Sequence, residues 1–83
     1  MNHYVYMIKT INSKVNKTYV GYTKDLINRI NKHNLGKGAK YTKGNKWKLI
    51  YKKKFLSKNK AMSYEYKLKN DRIKRHKILN KWK

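Results

Sequence analysis

Apolar and polar residues alternate from Tyr4 to Lys9 around Val, Ile and Tyr, and they alternate again from Lys17 to Tyr22. Period-two alternation of this kind predicts two strands, and the turn-type residues Ile11-Asn12-Ser13-Lys14 between them make the pair a β-hairpin. The period then changes. Leu26, Ile27 and Ile30 fall at helical spacing, with Thr23 placed to cap, Asp25 in the first turn and Gly36 as the stop, which predicts a helix over about Lys24 to Leu35. Residues 36–45 hold three glycines with Lys37, Lys40, Lys43 and Tyr41, the composition of a mobile basic loop. Trp47, Leu49, Tyr51 and Phe55 next alternate with lysines and Ile50, which predicts a third strand with one apolar face. Ser57 can cap a second helix whose stripe is Ala61, Tyr64 and Leu68, with Glu65 beside it. Asn70-Asp71 interrupts that pattern, and Ile73, Lys77, Ile78 and Trp82 support a short third helix. The order β-β-α-β-α-α predicts an α/β (α+β) fold, a small three-stranded mixed or antiparallel sheet flanked by helices.

Length makes this one domain, residues 1–83, with room for a single modest core. Hydrophobic residues at 39% and aromatics at 13% are too many for a disordered basic tail. Charge changes the picture most: 24 Lys and Arg against three acids give +21, which calls for a polyanionic partner. Nucleic acid comes first, because neutralising phosphates releases counterions, and a membrane surface comes second. The basic residues are overwhelmingly Lys, so an A/T-rich genome accounts for part of the excess. With no cysteine, disulfides and Cys-based zinc sites are excluded, and the three histidines lack zinc-site spacing. The apolar run Tyr4 to Ile8 is far too short for a signal-peptide core or a membrane span. The expected location is therefore the cytoplasm, beside the nucleoid if the source is bacterial.

Specific residues narrow the class further. Tyr4-Val5-Tyr6 and Tyr19-Val20-Gly21 resemble the paired motifs that name the GIY-YIG nuclease superfamily. Arg29 follows on the first helix with His33 one turn later, and Glu65 lies on the second helix after a third strand, as the resemblance requires. The run from His33 to Thr42 resembles small single-domain bacterial members and structure-specific junction endonuclease subunits. The likeness spans Tyr4 to about Asn70. Two departures stand out: Tyr4 replaces the glycine that heads the first motif, and Tyr22 stands where excision-repair relatives carry a catalytic-site Lys. Those relatives also tend to have Tyr where His33 stands. The resemblance implies an endonuclease that hydrolyses phosphodiester bonds of DNA, branched or flapped forms included, with RNA as a further substrate class and a protein scaffold as a partner. It implies Tyr6, Tyr19, Arg29, His33 and Glu65 as the catalytic set.

Phosphodiester hydrolysis needs a positioned water, a proton acceptor, positive charge on the phosphoryl oxygens and help for the leaving oxygen. Asp25, Glu65 and Asp71 are the whole supply of carboxylates, too few for a two-metal site. A single Mg²⁺ (or Mn²⁺) held by Glu65, waters and substrate is the simpler expectation. With the carboxylates so few, the base is Tyr, Lys or His. Tyr6 and Tyr19 are both candidates if surrounding positive charge depresses the phenol pKa of about 10. Arg29 suits a bidentate clamp on phosphate, and His33 at i+4 shares its helix face. Lys37, Lys40, Lys43 and Lys69 are the expected nucleic-acid contacts. The plainer readings are strand tyrosines in a core, solvated lysines, and a Glu65–Lys69 ion pair at i, i+4. Two rival functions remain at this point: a basic nucleic-acid-binding module that keeps the fold without cleavage, and membrane attachment, which the narrow apolar face of the later helices disfavours.

Overall fold

Val5, Tyr6, Met7 and Ile8 are consecutive and all fully buried. A strand sends successive side chains to opposite faces, so burial of four in a row demands cover on both sides and a neighbour on each edge. The computed structural model, which describes residues 2–11, 14 and 16–81, meets that demand. Strand β1 (His3–Thr10) is the centre of a three-stranded sheet, between β2 (Thr18–Thr23) and β3 (Trp47–Phe55), and both pairings are antiparallel. Helix α1 (Leu26–Asn34) follows β2, while α2 (Lys58–Asn70) and α3 (Arg72–Asn80) follow β3. The element order is the one that periodicity predicts, and the sheet is antiparallel throughout. The Asn12-Ser13 turn and Trp82 lie outside the described residues.

The two faces of β1 seed two cores. Val5 and Met7 pack with Val20, Ile50, Ala61, Leu68 and Ile78, beneath α2 and α3. Tyr6 and Ile8 pack with Trp47 and, from α1, Leu26 and Ile30. Among the described residues no helix is long and apolar enough to cross a membrane.

Several local expectations need correction. Helix α1 is capped by Asp25, whose Oδ1 accepts from the Asn28 amide at 3.2 Å, and Thr23 instead closes a small turn by accepting from the Asp25 amide at 3.0 Å. The helix accordingly begins at Leu26. Ile27 sits on its solvent side at 76% exposure, because the sheet beneath needs only the Leu26–Ile30 stripe. In β3 the single apolar face does not hold. The register slips opposite Met7/Ile8, so Ile50 and Tyr51 both join the α2/α3 side while Trp47 and Leu49 stay on the α1 side. Such a slip is a β-bulge, which turns the strand over. In α3 the buried residue is Ile78, with Leu79 packed beside it, whereas Ile73 is exposed. Gly36 does end α1: it has φ +77, the left-handed geometry that favours glycine at a helix stop.

Candidate active site

Four of the sequence-predicted catalytic residues meet on the α1 face of the sheet. The central strand β1 supplies Tyr6, the edge strand β2 supplies Tyr19, and α1 supplies Arg29 and His33 one turn apart. The Tyr6 hydroxyl lies 2.6 Å from His33 Nε2, and both side chains are fully buried. The Tyr19 ring meets the edge of His33 at 5.1 Å between centroids and stacks on Tyr41 at 6.2 Å. Close packing of the Tyr6–His33 pair depends on two glycines. A Cβ on Gly21 would overlap the Tyr6 hydroxyl, and a Cβ on Gly38 would overlap the His33 ring.

The other nitrogen of His33 reaches Thr42. His33 Nδ1 lies 2.9 Å from Thr42 Oγ1, and that hydroxyl lies 3.0 Å from the Ala39 carbonyl oxygen. A carbonyl can only accept, so the single Thr42 proton is donated to Ala39. Thr42 Oγ1 therefore accepts from His33 Nδ1–H. In neutral imidazole that leaves Nε2 with its lone pair aimed at Tyr6, and the Tyr6 hydroxyl donates to it. The sequence reading missed Thr42 as a functional residue. Its only signal was a small polar residue nine positions after a candidate histidine in a glycine-rich stretch.

This contact also corrects the expectation of a mobile loop. Thr42 is completely buried, its carbonyl accepts from Trp47 Nε1 at 2.9 Å, and its amide donates to Ala39 at 3.2 Å. Asn34 at the end of α1 clasps the start of β3, accepting from the Trp47 amide at 2.6 Å. The loop is docked by Thr42, while Lys37, Lys40 and Lys43 all project outward and exposed.

Electrostatics set the protonation states. Burial pushes the Tyr6 phenol up to about 12, with Tyr19 and Glu65 adding to the rise, although the Arg29 hydrogen bond and charge pull the other way. The expected depression of a base tyrosine by positive charge thus fails at Tyr6, because desolvation outweighs Arg29. Burial, and then the Arg29 charge, lower the pKa of His33 below its usual 6.5. Both residues are neutral at pH 7. Arg29 itself has a buried Nε with no hydrogen-bond partner.

Glu65 stands apart. It lies on α2, which packs on the opposite face of the sheet, yet it is near enough for its charge to raise the Tyr6 pKa. Its side chain is 14% exposed, and Lys69 Nζ sits 3.9 Å from Oε1. The plain ion-pair reading of Lys69 is therefore realised, and its charge is shared with the carboxylate. Among the described residues no three His, Cys, Asp or Glu side chains cluster as a cation cage. A hard cation that keeps most of its waters needs few protein ligands, so the Glu65 carboxylate fits Mg²⁺ or Mn²⁺, in competition with the Lys69 ammonium.

Known proteins share this architecture. The family described as the GIY-YIG catalytic domain matches residues 2–80. A UPF0213 protein of Staphylococcus saprophyticus, SSP2268, is 41% identical over 80 residues, covering 94% of each chain. The UPF0213 protein YazA of Bacillus subtilis is 46% identical over 69 residues, 82% of this chain and 67% of that one. The solution NMR structure of the UPF0213 protein BH0048 from Bacillus halodurans superposes with a TM-score of 0.57 at 43% identity, covering 96% of this chain and 84% of that one. With the family match running almost end to end over a sheet that pairs Tyr6 with His33, the chain belongs to the GIY-YIG family, a nuclease-type catalytic domain.

Proposed function

We propose that this chain is a metal-dependent endonuclease that hydrolyses phosphodiester bonds of DNA, branched or flapped forms among them. The observation that carries this reading is the hydrogen-bonded series Tyr6–His33–Thr42–Ala39 next to Arg29. It solves the base problem that a phenol near 12 poses, since Tyr6 never has to exist as free tyrosinate. Once substrate binding uncovers the Tyr6 oxygen, which is fully buried here, the water that attacks phosphorus passes its proton to that oxygen while the Tyr6 proton moves to His33 Nε2. The resulting imidazolium keeps its Nδ1–H bond to Thr42. Arg29, half-buried beside Tyr6, holds the non-bridging phosphoryl oxygens through its guanidinium.

Substrate arrival strengthens the base. Arg29 is part of what lowers the His33 pKa, so a phosphate dianion or diester bound to Arg29 offsets that charge and makes the imidazole more basic. Glu65 would hold a Mg²⁺ or Mn²⁺ ion, which when bound would supply positive charge to stabilise the charge that develops in the cleavage. Tyr19 and Tyr41 offer a stacked aromatic surface at the edge of the site, and the lysines at 37, 40 and 43 lie on the same loop as Thr42 and contribute backbone affinity. A DNA substrate implies association with the nucleoid in a bacterial cell, with a scaffold protein as a route to substrate choice. RNA meets the same backbone chemistry and belongs among the substrates assayed.

A second reading, a nucleic-acid-binding module without cleavage, draws on two observations: Tyr6 is pushed to about 12, and Lys69 sits on Glu65. Nicking of labelled duplex, flap and four-way-junction DNA with Mg²⁺ or EDTA separates the two. Metal-dependent cuts by wild type that are lost in Tyr6→Phe and Glu65→Ala establish the nuclease. Equal binding by all three proteins with no cutting of any substrate establishes the module.

A further inference from the structure

Among the described residues, two buried side-chain polar atoms have no hydrogen-bond partner, and both are arginine Nε. One is Arg29 in the candidate active site. The other, Arg75, is on α3, on the opposite side of the sheet. Only three of the 24 basic residues are arginine, so guanidinium is rare in a chain whose composition otherwise defaults to lysine. Two of those three, Arg72 and Arg75, line one cavity of about 190 Å³, together with His76, Asn16 and Thr18 over a floor that includes the fully buried Met7. That volume holds several waters at about 30 Å³ each, the size class of an oxyanion with part of its hydration.

The chemistry of the lining selects the ligand. Two planar guanidiniums, an imidazole, a hydroxyl and an amide offer donors in excess, and no carboxylate lines the space. The three acids are engaged elsewhere: Asp25 caps α1, Asp71 caps α3 through the Lys74 amide, and Glu65 meets Lys69. Arg75 is half-buried with its Nε shielded and unpartnered, Arg72 and His76 beside it are exposed, and an oxyanion held against these donors supplies the counter-charge that the chain itself does not place there. We propose that this cavity is a second phosphate-binding site, taking the oxyanion of a phosphate ester.

Its place in the fold makes nucleic-acid backbone the favoured source. Thr18 and Tyr19 are neighbours on β2, the edge strand, and alternation sends them to opposite faces: Thr18 to this cavity, Tyr19 to the candidate active site. A backbone wrapped over the β2 edge reaches both. The inference goes beyond cleavage and stands even if the chain cuts nothing.

The side-chain Nε–H signals of the three arginines in ¹⁵N-labelled full-length protein test it directly. Titration with sodium phosphate is compared with sodium chloride at matched ionic strength. Saturable shifts of Arg75 Nε–H and the Thr18 amide with phosphate, absent with chloride and abolished at Thr18 by Arg75→Gln while Arg29 still responds, establish the site. Shifts equal to those in chloride, or a Thr18 response unchanged by Arg75→Gln, overturn it. Short duplex DNA and a mononucleotide are then compared: saturation at lower DNA concentration assigns the site to backbone phosphate, and the reverse assigns it to a free nucleotide. In DNA binding, Arg75→Gln is expected to lower the slope of log affinity against log salt by about one.

Discussion

Thr42 has one hydroxyl proton, and its destination decides which nitrogen of His33 is basic. Replacing it with valine keeps the volume near constant but lets the imidazole carry its proton on either nitrogen. Thr42→Val is therefore expected to lower nicking by about tenfold, a fraction of the 10²–10⁴ that general acid–base catalysis contributes, while binding of DNA with EDTA stays unchanged. A serine at this position, which restores the hydroxyl, should recover most of the rate; a serine variant as slow as valine would mean that packing, not the proton, is what Thr42 provides. His33 also ties stability to pH. Its folded pKa lies below the unfolded value of about 6.5, so the unfolded chain takes up the proton first as the medium is acidified. The stability it confers is intact above pH 6.5 and is lost as the pH falls through the lowered folded value. Melting temperature should drop from pH 7.5 to about 5 more steeply in wild type than in His33→Gln, and parallel slopes would remove His33 as the cause.

At the scale of elements, the join between α1 and β3 determines whether Thr42 reaches His33. Asn34 copies a backbone partner there, accepting from the Trp47 amide at 2.6 Å and donating to the Trp47 carbonyl at 3.3 Å. Asn34→Ala leaves that amide without its partner and should cost about 1–3 kcal/mol. Hydrogen exchange should quicken at Trp47 and Thr42 but not in β1, and uniform quickening would place the loss in the whole fold instead. This join is also where sequence reasoning reached its limit. The strands, the helices and their order follow from periodicity, because each element's apolar set is local. Tyr6, Tyr19, Arg29 and His33 were legible through motif spacing, and the structure does bring them together. The docking of residues 36–45 was not legible: glycines and lysines suggest mobility, and only a tertiary partner, His33 over Gly38, turns that composition into a fixed loop. The bulge at Ile50 was hidden for a similar reason, since it answers to the two cores flanking β1 rather than to any pattern within β3. Burial likewise set the Tyr6 pKa against the expectation from charge, and burial depth cannot be read from composition.

Over the whole molecule, +21 on 83 residues governs both partner and stability, and it moves them in opposite directions with salt. Three acids can neutralise little of the field, and two of them are occupied as helix caps. The folded state therefore concentrates like charge that the unfolded chain spreads out, a repulsion that counter-ions screen over about 10 Å at 0.1 M ionic strength. Raising NaCl from about 0.05 to 0.5 M should raise the melting temperature by screening this repulsion. The same change should weaken DNA binding by orders of magnitude, as each neutralised phosphate gives up its released counterion. Calorimetry or dye-based melting and fluorescence anisotropy, run on one salt series, measure the two together. A melting temperature that falls with salt would mean that the few pairs present, such as Glu65–Lys69, stabilise more than the excess charge destabilises. Short duplex DNA at low salt should then raise the melting temperature more than salt alone does, because a polyanion both screens the charge and binds the folded face. The increment should shrink in Arg29→Gln and Arg75→Gln independently, since the helices that carry the two guanidiniums pack on opposite faces of the sheet.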